Sequence, residues 1–554
     1  MFDLVVSGGR VVCEDGVRIA DIGVTGGVIA EIAAPGALSN GGRATRTLDA
    51  GGLVVAPGGV DSHCHIEQKT STGLTPCDDF HSASVAALCG GTTTIVPFAC
   101  QHRGGRVATV VAEYRALAAK AACDYAFHVI VADPAEEHCV ADLKACFAQP
   151  GGGYSSVKVY MTYDALKLRD AELLDVLALC RAAGAMVMVH AESDGMIGWI
   201  TARLLKAGHV TPKFHGAARP ELAEREATHR AITFAEYVAT PLLVVHVSGA
   251  AAAAEIARAR AERGSPIFGE TCPQYLTLTA EKLQGTAPPA AAAKGHGGHA
   301  AHDHGHDHGH DHGHAHASAA NLEGEWEGAK YLCSPPLRAQ ADVDALWAAL
   351  RDGSLQVVSS DHSAYSFAPH PSGNPAYKLA TPLAERAFTK VPMGLPGLET
   401  RLPLLFSAGV QAGRIDLRTF AAVCATNPAK LYGLYPRKGA IAVGADADFA
   451  IFDPAAHSTL THAALHDTLD YTPYEGMALD GALAFTVLRG GVVFEKGGRG
   501  GAGGGGGAGG GDDVVRAPRG SGQFLASGRP DLLGWAGGPF PCGGDIVLDK
   551  ASRL

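Results

Sequence analysis

The sequence predicts an α/β fold: a (β/α)8 barrel of the TIM type, joined to a small β-sandwich that both ends of the chain build. Three observations predict it. Through the middle of the chain, eight short apolar strands alternate with helical segments, as parallel βα units do. On either side lie short strands with no helix between them, set apart by Gly and Asp turns. At 554 residues the chain also exceeds the ~250 residues of a typical barrel, leaving room for a second domain and insertions.

Taken in order, residues 1–56 form the first part of the sandwich, with strands at Leu4-Val5-Val6, Arg10-Val11-Val12, 19–24 and 28–32. The barrel occupies 57–436. Its strands are predicted at 53–60, 92–97, 125–131, 156–161, 186–190, 242–247, 267–271 and 355–360, with helices at 83–89, 171–182 and 220–239 among the connections. Within it, 287–320 is rich in Ala, Gly and His and cannot build a core, so a disordered insertion is expected. Ten of the 26 histidines lie between His296 and His316, a composition that suits divalent metals and equally suits a tolerated loop expansion. The sandwich resumes over 437–496, a Gly-rich linker follows at 497–520, and 521–554 forms a tail.

Composition narrows the function. The formal charge of -11 is spread without a basic stripe, which argues against nucleic acid and for a small neutral or polar substrate. The 13 cysteines are an odd number without C-x-x-C pairs, so neither a disulfide framework nor a thiolate zinc site is expected. Residues 1–10 lack a secretory pattern, and no apolar run reads as a membrane span, the Ala-rich stretch after Ser248 being broken by Glu255. A cytoplasmic protein with reduced thiols and no membrane association is expected.

The chemistry concentrates at strand ends. Asp61-Ser62-His63-Cys64-His65 follows the first apolar run, and alternation in a strand puts His63 and His65 on one face with Cys64 on the other. Read alone, the pair is a chelate or two satisfied imidazoles. Val187-Met188-Val189-His190, Val244-Val245-His246 and Val357-Val358-Ser359-Ser360-Asp361 each finish an apolar run with a metal-binding side chain, at the barrel end that displays catalytic groups. Each has a packing explanation, but four histidines and an aspartate at four strand ends are hard to explain by packing alone. Lys158 lies amid Ser156-Val157-Lys158-Val159-Tyr160. A charged lysine is costly to bury there, so it is either bridged to an acid or modified, for instance carboxylated by carbon dioxide. Spacing does not choose between these.

Together, Pro57-Gly58-Gly59-Val60-Asp61-Ser62-His63-Cys64-His65, Val157-Lys158-Val159-Tyr160-Met161-Thr162-Tyr163-Asp164-Ala165, Val189-His190-Ala191-Glu192, Val245-His246-Val247-Ser248, Glu270-Thr271-Cys272-Pro273-Gln274-Tyr275, Cys333-Ser334-Pro335-Pro336-Leu337-Arg338, Ser359-Ser360-Asp361-His362 and 427–439 make the chain resemble the dihydropyrimidinase and hydantoinase branch of the cyclic amidohydrolases, closest to a bacterial-type dihydropyrimidinase. The resemblance runs from about residue 3 to 495 and resumes weakly at Gly522-Gln523-Phe524-Leu525. It implies two Zn2+ per chain, bridged by carboxylated Lys158 and a hydroxide, with His63, His65 and Asp361 on one ion and His190 and His246 on the other.

The resemblance further implies ring opening of 5,6-dihydrouracil or dihydrothymine to N-carbamoyl-β-amino acids. Asp361 would be the proton shuttle and Tyr163 the donor to the tetrahedral oxyanion, while Ser334 and Met393 would hold the substrate's amide edge, chiefly through main-chain groups. Relatives usually carry Asn where this chain has Met393. A homotetramer is implied as well. The alternatives are a D-hydantoinase acting on 5-substituted hydantoins, an allantoinase, or, in a different class, a non-catalytic scaffold, which the filled ligand set disfavours.

Overall fold

The computed structural model describes residues 1–39, 44–70, 73–148, 153–286, 324–497 and 512–534. The insertion at 287–320, most of the Gly-rich stretch and the tail beyond Gly534 lie outside the described residues. In chain order the barrel strands are Gly59–Asp61, Thr92–Ile95 with Phe98–Cys100, Asp124–Tyr125 with His128–Ile130, Ser156–Tyr160, Met186–His190, Leu242–Val244, Ile267–Thr271 and Val357–Val358. Each pairs in parallel with the next. The second strand breaks at Pro97, which has no N–H for the ladder. The eighth closes on the first: the Asp361 N–H donates to His63 O at 2.8 Å, and His362–Ser363 pairs in parallel with Cys64–His65.

Side-chain alternation builds the two layers. Met186, Met188, Leu243, Val245, Phe268 and Val357 pack together inside the barrel. Val157, Val159, Val187, Val189, Leu242, Val244 and Ile267 join the larger core beneath the helices. The helices begin and end where their caps are satisfied. Asp79 accepts from the N–H groups of His81 and Ser82 ahead of Phe80–Cys89, and Gly184 takes a left-handed φ of 69° after Asp170–Ala183, a conformation that costs glycine little.

Both ends of the chain meet in one nine-stranded mixed sheet, ordered Val514–Val515, Gly491–Glu495, Ala478–Leu488, Phe449–Thr459, Val54–Pro57, Phe2–Cys13, Gly16–Thr25 and Val28–Ala33, with Ala44–Asp49 also paired to Phe2–Cys13. The sheet encloses its own core of Leu4, Val11, Ile22, Val24, Val55, Phe449, Ile451 and Val487. Three sequence expectations change here. The two short strands expected near the N-terminus are one strand, Phe2–Cys13, bulged between Val6 and Gly9. The run 53–60 is divided: Val54–Pro57 belongs to the mixed sheet and Gly59–Asp61 starts the barrel. Gly58 makes that division possible, because a Cβ there would lie 2.3 Å from Thr93 Oγ1. Lastly, within the stretch expected as linker, Val514–Val515 forms the sheet's outer strand.

The described part of the tail, 521–534, meets its own barrel at the third strand. Gln523 O accepts from the Tyr125 N–H at 2.9 Å, the Leu525 N–H donates to Tyr125 O at 2.7 Å, and the Arg115 guanidinium covers the Phe524 ring at 4.0 Å. A buried ion cluster joins sheet, barrel and tail. Lys438, 1% exposed, contacts Asp124 at 2.6 Å, Asp448 at 2.7 Å and Asp446 at 2.9 Å, and Asp124 also accepts from Arg489 and from the Gln523 N–H. Replacing Lys438 with methionine leaves these carboxylates short of their central cation, and breaking a buried pair costs about 3–5 kcal/mol. The expected outcome is a clear fall in the denaturant midpoint. An unchanged midpoint in Lys438→Met would show that the cluster does not join the domains.

Candidate metal centre

The side chains singled out by the sequence lie at the C-terminal end of the barrel strands. His63 and His65 follow the first strand, and their Nε2 atoms lie 3.3 and 3.2 Å from Asp361 Oδ1. Cys64, between them, points into the core with Phe80 and Tyr114. The three donors are close enough to share one cation. Lys158 sits in mid-strand, its Cα register between Ile130 and Met188, and His190 ends the fifth strand in phase with the inward Met186 and Met188.

His246 reaches the site differently. With Leu243 and Val245 pointing inward, alternation would turn the next residue outward, but His246 takes a left-handed φ of 41°. Its Nε2 lies 2.9 Å from His190 Nδ1. Asp361 (φ 49°) and Tyr163 (φ 71°) share that uncommon backbone region. Non-glycine residues there carry local strain, which persists where the surroundings over-determine it and clusters at functional sites.

Outer partners orient the imidazoles. His63 Nδ1 lies 2.6 Å from Glu270 Oε1 and His65 Nδ1 lies 2.7 Å from Gln68 Oε1. In each case Nδ1 is engaged and Nε2 faces the centre, as a metal ligand's second partner requires. On His190 the roles reverse: Nε2 bonds Glu192 Oε2 at 2.6 Å, leaving Nδ1 toward His246. Burial drives His63 and His246 well below the usual imidazole range and lowers His190, so all three are neutral, the ligating form. Burial also raises Glu270 to about 8, against the opposing pull of Lys158.

Lys158 resolves one alternative from the sequence. Its ammonium is fully buried, makes no hydrogen bond, and stands over the Phe98 and Tyr160 rings at 5.3 and 5.2 Å. Among the described residues no acid lies within ion-pair distance of it, so it is not bridged to an acid in this structure. Burial brings it down to about 7, although Glu270 and Asp361 pull upward. An unpartnered amine beside four imidazoles and a carboxylate fits a divalent centre, since a modification carrying charge would give that nitrogen the partners it lacks.

Of the other residues the sequence singled out, Tyr163 meets the His190 ring edge-on, with centroids 5.2 Å apart. The half-buried Tyr163 phenol is raised by loss of hydration and eased by the Arg219 guanidinium, which lies 5.1 Å from its ring. Arg219 is anchored at 2.5 Å on Glu192, and its carbonyl accepts from Arg338 at 2.6 Å. The Ser334 hydroxyl is buried with no partner. Met393 packs against an apolar cluster containing Trp326, Leu332 and Val391. Sequence reasoning gave no role to Glu270, Glu192, Gln68 or Arg219. Glu192 and Glu270 were visible as acids ending apolar runs, whereas nothing in the pattern around Arg219 set it apart.

The amidohydrolase family model matches residues 54–493. The chain belongs to the amidohydrolase family. This amidohydrolase is 37% identical over 497 residues to a D-hydantoinase of Ralstonia pickettii, covering 89% of this chain and 96% of that protein. It is 35% identical over 487 residues to a D-hydantoinase of Geobacillus stearothermophilus, covering 88% and 91%. Among solved structures it is similar to a dihydropyrimidinase from Brevibacillus agri, with a TM-score of 0.78 and 33% identity, covering 95% of this chain and 99% of that one. These relatives place the amidohydrolase in the dihydropyrimidinase and hydantoinase branch. Among the described residues, no helix is long and apolar enough to cross a membrane.

Proposed function

We propose that this amidohydrolase opens cyclic amides by hydrolysis, acting as a dihydropyrimidinase that converts 5,6-dihydrouracil and dihydrothymine to N-carbamoyl-β-amino acids. The observation that carries the reading is the convergence of His63, His65, His190, His246 and Asp361 around an unpartnered Lys158. His63, His65 and Asp361 would hold one Zn2+, His190 and His246 a second, and carboxylated Lys158 would bridge them. Bound there, the two cations supply a nucleophile at neutral pH and polarise the amide carbonyl.

The chain's own groups do the rest. The Asp361 carboxylate takes a proton from the attacking water and returns it to the ring nitrogen as the C–N bond breaks. The Tyr163 phenol donates to the oxygen on which charge develops. Removing one such donor costs about 2.7–4 kcal/mol of barrier, so Tyr163→Phe is expected to lower kcat by ~10²–10³-fold with zinc content unchanged; a kcat within a few-fold of wild type would remove Tyr163 from this role. Main-chain groups of Ser334 and Met393 would orient the ring, the Met393 side chain being engaged in the apolar cluster.

A second reading is a D-hydantoinase acting on 5-substituted hydantoins, favoured by the names of the relatives at 34–37% identity. The enzyme is read as a cytoplasmic homotetramer; the unpaired thiols among the described residues fit a reducing compartment. The deciding experiment assays purified protein, supplied with zinc and bicarbonate, on 5,6-dihydrouracil, a 5-substituted hydantoin and allantoin. Turnover of none of them would sink the reading.

A further inference from the structure

Lys378, 1% exposed, takes no part in the chemistry above. Its ammonium donates to Gly394 O at 2.8 Å, to Pro392 O at 3.0 Å and, at the limit of a hydrogen bond, to Leu332 O at 3.5 Å. Among the described residues no carboxylate lies within ion-pair distance of it. Burial lowers it to about 7; an amine buried on carbonyls alone is costly, and an apolar side chain would fill the same volume without that cost. What distinguishes the lysine is the pair of segments it ties together: 332–334, which carries Ser334, and 392–394, which carries Met393.

The second segment is held on its other face as well. The Gly394 N–H donates to Leu332 O at 3.0 Å and the Ser363 N–H to Leu395 O at 3.0 Å, while His362 and Leu395 form a bridge. At Gly394, where φ is 136°, a Cβ would meet Ser363 Cβ at 2.5 Å. Residues 392–395 are therefore a layer pressed between the Ser334 segment and the strand that presents Asp361. Lys378 gathers the carbonyls on either side of Met393, at Pro392 and Gly394, and leaves the Met393 carbonyl out of that set.

We propose that Lys378 is a positioning residue: by gathering the carbonyls of Leu332, Pro392 and Gly394 it sets the main chain of Ser334 and the carbonyl of Met393 at the spacing that receives the amide edge of the substrate ring. The inference rests on the cyclic-amide reading above. It also accounts for how methionine can stand at 393, since the side chain packs against the apolar cluster that contains Trp326, Leu332 and Val391 while the lysine holds the main chain on either side of it.

The test compares wild type, Lys378→Met and Lys378→Gln for kcat, KM, zinc content and melting temperature on whichever ring the wild type turns over. Loss of binding shared by ground and transition states raises KM and leaves kcat. Lys378→Met is therefore expected to raise KM at least ~10-fold with kcat within ~3-fold and zinc unchanged. Lys378→Gln, which keeps two donors, should fall between, and it carries the test if the methionine variant does not fold. A lower melting temperature with unchanged KM in the folded variants would overturn the proposal and leave the hydrolase reading standing. A wild type inactive on every ring would overturn both.

Discussion

Asp361→Asn is expected to lower kcat by ~10²–10⁴-fold while leaving the fold intact. The carboxylate Oδ1 faces His63 Nε2 and His65 Nε2 at 3.3 and 3.2 Å, so it stands among the donors and within reach of the group they would activate. An amide of the same shape keeps an oxygen for those contacts but cannot carry the proton from attacking water to leaving nitrogen. Proton transfer by a positioned group contributes ~10²–10⁴-fold, and losing the negative charge weakens cation binding as well. The backbone argues that the variant folds. Asparagine tolerates the left-handed φ of 49° found here, and the bond that closes the barrel, from the Asp361 N–H to His63 O at 2.8 Å, involves no side chain. Steady-state kinetics with metal analysis at saturating zinc separates the two losses. A fully zinc-loaded Asp361→Asn enzyme with kcat within tenfold of wild type would exclude Asp361 as the proton carrier.

How much of this was legible in the sequence follows from what local pattern encodes. Alternation was enough to pair His63 with His65 and to set Cys64 aside, because those residues obey the strand period; His190, in phase with Met186 and Met188, was marked by ending an apolar run. His246 does not obey the period. Its inward direction comes from a left-handed φ that no residue type in Val244-Val245-His246 announces, and only its position at a strand end pointed to it. The division of 53–60 between two sheets was hidden for a similar reason, since both halves are apolar and buried and only the close approach of Gly58 to Thr93 separates them. Glu270, Arg219 and Lys378 act across 14 to 207 positions of sequence, through contacts that tertiary folding alone creates. The alternation of strands and helices pointed to the barrel and the length left room for the separate mixed sheet, but neither could show that residues 523–525 return to the third strand at Tyr125.

Replacing Lys158 with methionine is expected to abolish turnover and most bound zinc without unfolding the barrel. The lysine stem lies among apolar side chains and its nitrogen has no partner, so a methionine of similar length fills the space and removes an expensive buried amine. The barrel itself should be as stable or more so, which thermal melting would show. Removal of the lysine takes away the group that, once carboxylated, would offer two oxygens to the centre. The wild type supplies a second, independent check. Carbon dioxide adds to a neutral amine, and burial places this one at about 7 where an exposed lysine would be almost wholly protonated. Reactivation of chelator-stripped enzyme by zinc should therefore depend on bicarbonate and slow as the pH falls through that value, since protonation removes the reactive form. A native mass spectrum should show one carbon dioxide added on Lys158 in the active enzyme and none in the stripped protein. Full zinc content and turnover in Lys158→Met, or reactivation indifferent to bicarbonate, would mean that the centre is assembled without this lysine.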